Sequence, residues 1–460
     1  MSRELRSENV ETKDWLIKDL KDNWLEDRAQ KVEQVNKIDK EYYRQYDIKQ
    51  GLRNSDGTGV VVGFTKIGSV HGYTYCDGVK TPIEGKLFYR DIEIDELVKN
   101  TGEFGFESIV YLLLFGALPG EEELRKFNAI LDGFRKLPPH FTENTILKSP
   151  SRDVMNKLQR AILVLYSYDE KPDSLDIDRI LVQSLKLIAR FPTIISYGFQ
   201  AKAHYFDDQS LYLHNPKEGL GTAANILHMI RANNDYTQLE KDTLDLLLIL
   251  HAEHGGGNNS AFTTHVVSSS GTDTYSAVGA AVGSLKGPKH GGANLRVKAM
   301  VDDIKENLAD YSDRAELKKY LKQILKGEVF DQKGLIYGMG HAVYTKSDPR
   351  AVILKKKSKE LAAAKDRLQE FELYDNIESL TKEIFKEERG EDVEICANVD
   401  LYSGFVYQLL NIPEELFTPL FATARVASWC AHRIEQLVSD HKIIRPAYKS
   451  LKNEEKCTIR

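Results

Sequence analysis

Three short glycine-bearing segments in the second half of the chain hold two histidines, an arginine and an aspartate: Gly287 to Asn294 (GPKHGGAN), Gly338 to Arg350 (GMGHAVYTKSDPR) and Asn398 to Gly404 (NVDLYSG). Glycines beside His290 and His341 let backbone and imidazole come close to a ligand, and a helix beginning at Ala293 would offer free N–H donors to it. Pro349 restrains Asp348 and gives Arg350 a defined direction. Asp400 could serve as a general base, which works best with a second group placed to hold the negative charge that develops. Taken singly, each segment also fits a plainer account: a turn histidine, a satisfied core or surface histidine, an aspartate at a helix N-cap. Their order and spacing, with Arg425 and Arg445 following, are hard to produce by packing needs alone.

Arg425 sits four residues after Phe421 on an expected helix. Thr418 and Pro419 read as its N-cap and first residue, it runs to about Val438, and Leu420, Phe421, Ala424, Ala427, Ala431 and Ile434 form much of its apolar face. A guanidinium next to packed surface needs an anion, which a structural Glu or Asp or a ligand could supply. His251, Glu253 and His254 (LHAEHGGGN) lack the H-E-x-x-H spacing and have no further ligand cluster nearby in sequence, so no metal site is expected there.

The elements that must position these residues are mainly helical. Periodicity predicts helices over 106–115, 121–136, 152–166, 177–205, 223–233, 238–254 and 293–306, with Pro138, Pro139, Pro150, Pro172 and Pro216 between them and Pro192 kinking or splitting the fourth. The charged stretch from Lys355 to Glu391 reads as surface helices of a smaller unit. Trp15, Leu16, Leu20, Trp24, Val32 and Val35 suggest a long amphipathic helix and a second short one in the first fifty residues. Only the region around 51–90, with Val60, Val61 and Val62 and the aromatics near Tyr73 and Tyr75, looks like strands or hairpins.

At 460 residues the chain exceeds what one hydrophobic core usually supports, so two domains, or one with a large insertion, are expected. A net charge of -6 without a basic stripe argues against nucleic acid as a partner. The N-terminus lacks an apolar signal core and no apolar run approaches a membrane span, so no membrane association and a cytoplasmic protein are expected. Cys76, Cys396, Cys430 and Cys457 are scattered and read as plain thiols in a reducing compartment.

From about Gly57 to Tyr448, and densely from His251 onward, the chain resembles the citrate synthase family, a mainly-α fold. The resemblance implies a large helical domain of residues 51–292 and 411–460, an inserted small helical domain of 293–410, a 1–50 helical extension and a small β region near 58–90. It implies His290, His341 and Asp400 as the catalytic residues. Asp400 would take a proton from the methyl of acetyl-CoA, His290 would hold the thioester oxygen, and His341 would polarise the keto oxygen of oxaloacetate. Oxaloacetate or citrate would be bound by His254, His290, His341, Arg350, Phe421, Arg425 and Arg445, the last reaching into the neighbouring subunit of a homodimer. Coenzyme A would be met by Leu335, Ile336, Tyr337, Gly338, Gly340, Lys346 and Asn398, with no metal and no resident cofactor. Two departures stand out: Gly255, Gly256 and Gly257 follow His254 where some members have an acidic or polar residue, and Thr345 stands where some carry a basic one. The alternatives are a 2-methylcitrate synthase using propionyl-CoA, a citryl-CoA lyase-like enzyme, and a non-catalytic helical scaffold.

Overall fold

The computed structural model describes residues 25–54, 56–77, 79–390, 393–439 and 442–451. It falls into two units, residues 1–64 and 65–460. The first contains α1 (Leu25–Asn36) and α2 (Lys40–Gln45), the latter capped by Asp39, whose Oδ1 accepts from the Glu41 N–H at 2.9 Å. Val32 and Val35 lie on α1 and are exposed, while Trp15, Leu16, Leu20 and Trp24 of the expected amphipathic helix fall outside the described residues. Val60, Val61 and Val62 form no strand. Val61 and Val62 face solvent, and β-propensity expresses fit to a half-buried sheet surface, which they lack.

In the second unit, β1 (Gly68–Cys76), β2 (Val79–Tyr89) and β3 (Ile92–Glu93) form an antiparallel sheet in that order. Helices then dominate: α3 (Ile94–Asn100), α4 (Gly105–Phe115), α5 (Glu121–Phe134), α6 (Val154–Leu165), α7 (Ile177–Phe206), α8 (Gly221–Ile230) and α9 (Gln238–His251). After the first of the site segments come α10 (Asn259–Ser268), α11 (Thr274–Lys286), α12 (Ala293–Asn307) and α13 (Arg314–Lys326). The chain closes with α14 (Pro349–Ala364), α15 (Leu368–Arg389), α16 (Val399–Leu409) and α17 (Phe417–Ser439). This is the mainly-α architecture expected, with the strands confined to one hairpin and a short third strand.

Two expectations need correction. Helix α7 is not split at Pro192, which lies buried within it. Proline removes one backbone hydrogen bond, whereas packing of α7 against α6, α8 and α17 holds both flanks in place. Thr418 and Pro419 lie inside the first turn of α17, because a 3₁₀ turn at Glu414–Leu416 feeds directly into Phe417. Thr418 instead donates its hydroxyl to the Gly291 carbonyl at 3.1 Å, fastening the His290 turn to α17.

The hairpin explains its glycines. A Cβ on Gly72 would collide with the Val343 carbonyl, and one on Gly85 with the Ser347 carbonyl. Bare backbone of β1 and β2 therefore lies directly against the loop from His341 to Asp348. Gly72→Ala is expected to lower unfolding stability by about 1–3 kcal/mol through overpacking, measured by denaturant titration, and to weaken substrate binding by displacing the loop. Unchanged stability and affinity would show that the loop yields freely.

Candidate active site

Helix α9 starts from a reciprocal capping box between Thr237 and Glu240 and ends at His251. The next residues leave the helix under control of α17. Arg425 Nε donates to the His251 carbonyl at 2.7 Å, and one turn earlier Phe421 places its ring 4.9 Å from the Arg425 guanidinium carbon, as i,i+4 neighbours do. Phe421 also faces His251 at 4.5 Å and His290 at 6.4 Å between ring centroids. Arg425 is only 1% exposed, makes no ion pair, and donates no hydrogen bond from its terminal nitrogens among the described residues. Burial, reinforced by the like charge of Arg350, pulls its pKa down to about 10 even though Glu253 and Asp400 oppose the shift. An unpaired buried guanidinium is costly, and a bound anion would relieve it.

His290 sits in the Gly287–Gly292 turn before α12, which Gly291 permits because a Cβ there would strike the Leu285 carbonyl. Its Nε2 lies 3.0 Å from Ser260 Oγ, and burial together with Arg425 lowers its pKa to about 4. The ring is neutral at pH 7. His341 accepts the N–H groups of Val343 at 3.1 Å and Tyr344 at 3.2 Å on Nδ1, so the proton of its neutral ring is carried by Nε2. Tyr344 stacks on it at 4.6 Å and His254 meets it edge-on at 5.1 Å. Burial, then Arg350, His341 and Arg425, hold the His254 pKa well below its ordinary value, and its buried Nε2 has no hydrogen-bond partner among the described residues.

Asp348 caps α14 and grips Arg350 through both edges: Nε donates to Oδ1 at 3.0 Å and a terminal nitrogen to Oδ2 at 2.7 Å. Asp400 is not the cap of its helix. Asn398 fills that role, its Oδ1 accepting the Asp400 N–H at 3.0 Å, which leaves the Asp400 carboxylate uncommitted to capping. Burial raises the Asp400 pKa to about 6, with Asp348 adding to the rise and Arg350 and Arg425 opposing it. A carboxylate poised near neutrality, in the field of the same Arg350 and Arg425 that act on His254, can act as a base while N–H groups stabilise negative charge.

His254, His290, His341, Arg350, Asp400, Phe421 and Arg425 thus share one electrostatic neighbourhood. The loop from Leu335 to Gly340 runs beside 396–398: Asn398 N donates to the Gly338 carbonyl at 2.9 Å, Asn398 Nδ2 to the Gly340 carbonyl at 2.8 Å, and Gly338 and Gly340 take φ of 83° and 87°. In that loop Leu335 is exposed, Ile336 buried, and the Tyr337 hydroxyl donates to Asp331 at 2.5 Å. Lys346 and Arg445 are exposed, and Arg445 makes no ion pair among the described residues. Lys346, Asp348, Lys355, Phe371 and Tyr402 border a cavity of about 410 Å³ that none of the imidazoles line.

Tyr344, Ser260 and His432 escaped the sequence reading, and Glu253 entered it only as a candidate metal ligand. Tyr344 and Ser260 orient the two imidazoles just described. Glu253 and His432 form a fully buried ion pair at 3.1 Å. Burial alone would lower the His432 pKa, but Glu253 and Glu435 raise it to about 9. Glu253 also accepts the Gly255 N–H, so α17 clamps both ends of the segment carrying His254. The glycine run after His254 hid this: its anchoring carboxylate precedes the histidine instead of following it.

Residues 51–447 match the sequence model of the citrate synthase C-terminal domain. The chain belongs to the citrate synthase family. It is 33% identical over 404 residues to the citrate synthase of Haloferax volcanii, covering 87% of this chain and 94% of that one. It is 32% identical over 396 residues to 2-methylcitrate synthase 1 of Corynebacterium glutamicum, covering 84% and 95%. Among solved structures, the citrate synthase of Thermoplasma acidophilum in ternary complex with carboxymethyl coenzyme A and oxaloacetate superposes with a TM-score of 0.73 at 25% identity, covering 90% of this chain and 98% of that one. This chain is accordingly an acyltransferase of the condensing kind. None of its described helices is long and apolar enough to cross a membrane.

Proposed function

We propose that this protein condenses acetyl-CoA with oxaloacetate and water to give citrate and free coenzyme A. The observation that carries this reading is the buried, unpaired guanidinium of Arg425 beside neutral imidazoles and a carboxyl group raised to about 6. Oxaloacetate brings two carboxylates, and Arg425, the outward edge of Arg350 and Arg445 of a neighbouring subunit bind them. His254 adds its unpartnered Nε2. Asp400 then takes the methyl proton of the thioester while His290 donates to the oxygen that becomes the enolate. The enol carbon attacks the keto carbon as His341 Nε2–H donates to the keto oxygen, and hydrolysis of citryl-CoA releases both products.

Ser260 has one hydroxyl proton and two acceptors at 3.0 Å, His290 Nε2 and Asn258 Oδ1. Donation to His290 puts the ring proton on Nδ1, facing the thioester. Ser260→Ala is expected to lower kcat about tenfold, the worth of one such hydrogen bond, with little change in oxaloacetate affinity by calorimetry. An unaltered kcat would remove Ser260 from the mechanism.

Residues 293–410 act as a small domain that closes after oxaloacetate binds, a division supported by the packing of α12 and α14 on α16 and of α13 on α15. The molecule works as a homodimer, with acetyl-CoA as substrate and coenzyme A as product. The buried free thiols of Cys396 and Cys430 suit a reducing, cytoplasmic setting. Mixing inactive Arg445→Ala and Asp400→Asn protomers should restore part of the activity, and failure to complement under subunit exchange would disprove a shared site. Relatives of both substrate types match at similar identity, so propionyl-CoA is the competing thioester. Thiol release is measured from each thioester with and without oxaloacetate. Oxaloacetate-dependent release from acetyl-CoA is expected, preference for propionyl-CoA would make the enzyme a 2-methylcitrate synthase, and no dependent release would refute condensation.

A further inference from the structure

We infer that His265, His432 and Glu435 form a binding site for a divalent transition-metal ion of the zinc type, behind the loop that bears His254 and apart from the reacting groups. One donor atom from each of the three lies within 4.8 Å of the others. His265 Nε2 and His432 Nδ1 are 3.1 Å apart, and His432 Nδ1 is 3.7 Å from Glu435 Oε2. Zinc bonds of about 2.0–2.2 Å in a tetrahedron put neighbouring donors roughly 3.3 Å apart, between those two separations.

Orientation strengthens the geometry. The distal nitrogen of each histidine already faces an oxygen acceptor: His265 Nδ1 meets Gln436 Oε1 at 2.9 Å, and His432 Nε2 meets Glu253 Oε2 at 3.1 Å. Metal-ligating histidines are held this way, with the outer nitrogen donating to a carboxylate or carbonyl oxygen. The inner nitrogens therefore point toward each other and toward Glu435. Glu435 Oε1 accepts the Lys66 N–H at 2.6 Å, whereas Oε2 is buried and, among the described residues, makes no hydrogen bond, its ion-pair contact being His432 Nδ1 at 3.7 Å. Arg90, a nearby cation, directs its guanidinium at the Lys66 and Leu113 carbonyls. Backbone alone covers the cluster at Gly256, where a Cβ would sit 3.5 Å from both His265 Nε2 and His432 Cε1.

Without an ion, the line between the two inner nitrogens holds a single proton. A dication replaces it: each ring gives a lone pair, the proton leaves to water, Glu435 Oε2 exchanges its 3.7 Å contact with His432 for a bond to the ion, and His432 keeps its Nε2–H on Glu253. The positive charge that clamps the His254 segment is thereby retained. His432 and Glu435, three apart on α17, share a face, and His265 comes from α10.

The test uses full-length protein stripped with chelator and titrated with Zn(II) by calorimetry and with Co(II) by visible absorption. One ion per chain with the d–d bands of tetrahedral cobalt is expected. His265→Gln and Glu435→Gln should each weaken binding more than about 100-fold, beyond the 10–100-fold cost of losing an outer partner, which Gln436→Ala should show with all three donors intact. Circular dichroism of the metal-free variants separates lost ligands from lost fold. Absence of binding by the wild type, or affinity undiminished in both donor variants, would overturn the inference, and neither result bears on the condensation reaction.

Discussion

Replacing Asp400 by asparagine should cut kcat by about 10²- to 10⁴-fold, the usual worth of a general base, while oxaloacetate still binds. The same change should make the protein harder to unfold at pH 8. The sign follows from the raised pKa: the fold favours the protonated carboxyl, so the stability this group contributes is full below its ordinary value of 3.8 and is lost as pH climbs through about 6. At pH 8 the wild type holds an ionised carboxylate at a cost of no more than about 2 kcal/mol, allowing for solvent on its open side, and asparagine removes that cost. Wild-type kcat should fall about tenfold per pH unit on the acid side of about 6, for Asp400 must be ionised to accept a proton. Full activity in the variant would mean that another group is the base, and a lower melting temperature at pH 8 would mean that Asp400 is a structural anion.

Arg425→Leu is expected to weaken oxaloacetate binding by about 2–5 kcal/mol, or roughly 30- to several-thousand-fold in Kd, because it leaves a substrate carboxylate without its charged partner. Arg350 should behave differently. Its guanidinium is gripped through two edges by Asp348, so its removal strands a buried carboxylate and should destabilise the fold as well as binding. Arg425 has no such partner, and the ligand-free leucine variant should be at least as stable as the wild type. Oxaloacetate should raise the melting temperature of the wild type and not of the variant. A clear stability loss in ligand-free Arg425→Leu would show that the His251 carbonyl and Phe421 ring already satisfy this cation.

Much of the helical framework was legible because helices report themselves locally: α4, α5, α6 and α9 follow apolar periodicity between prolines, with ends off by a few residues. The errors arose where distant contacts decide. Pro192 was read by its own chemistry, yet neighbours on both sides keep α7 whole. The Val60 to Val62 run had strand propensity and no sheet to join. At the site, His290, His341 and Asp400 stood out as candidates through the order of their glycine-bearing segments and the family resemblance, but what orients them did not. Asn398, two residues before Asp400, takes the capping role that the aspartate seemed suited to fill. Glu253 and His432 are 179 positions apart, and neither has a local pattern that announces a buried ion pair. Such pairings become visible only when burial forces charges to find each other.

The bare backbone contact between the hairpin and the His341 loop also bears on when the enzyme can begin to work. Gly85 and Ser347 are separated by 262 positions, and about three quarters of the 460-residue polypeptide must leave the ribosome before they can meet. Pairings of such long sequence separation form slowly and late, after local helices are in place. A nascent or truncated chain would hold Arg425 or His341 unseated, so competence for turnover arises as a final event of maturation and not by gradual accrual.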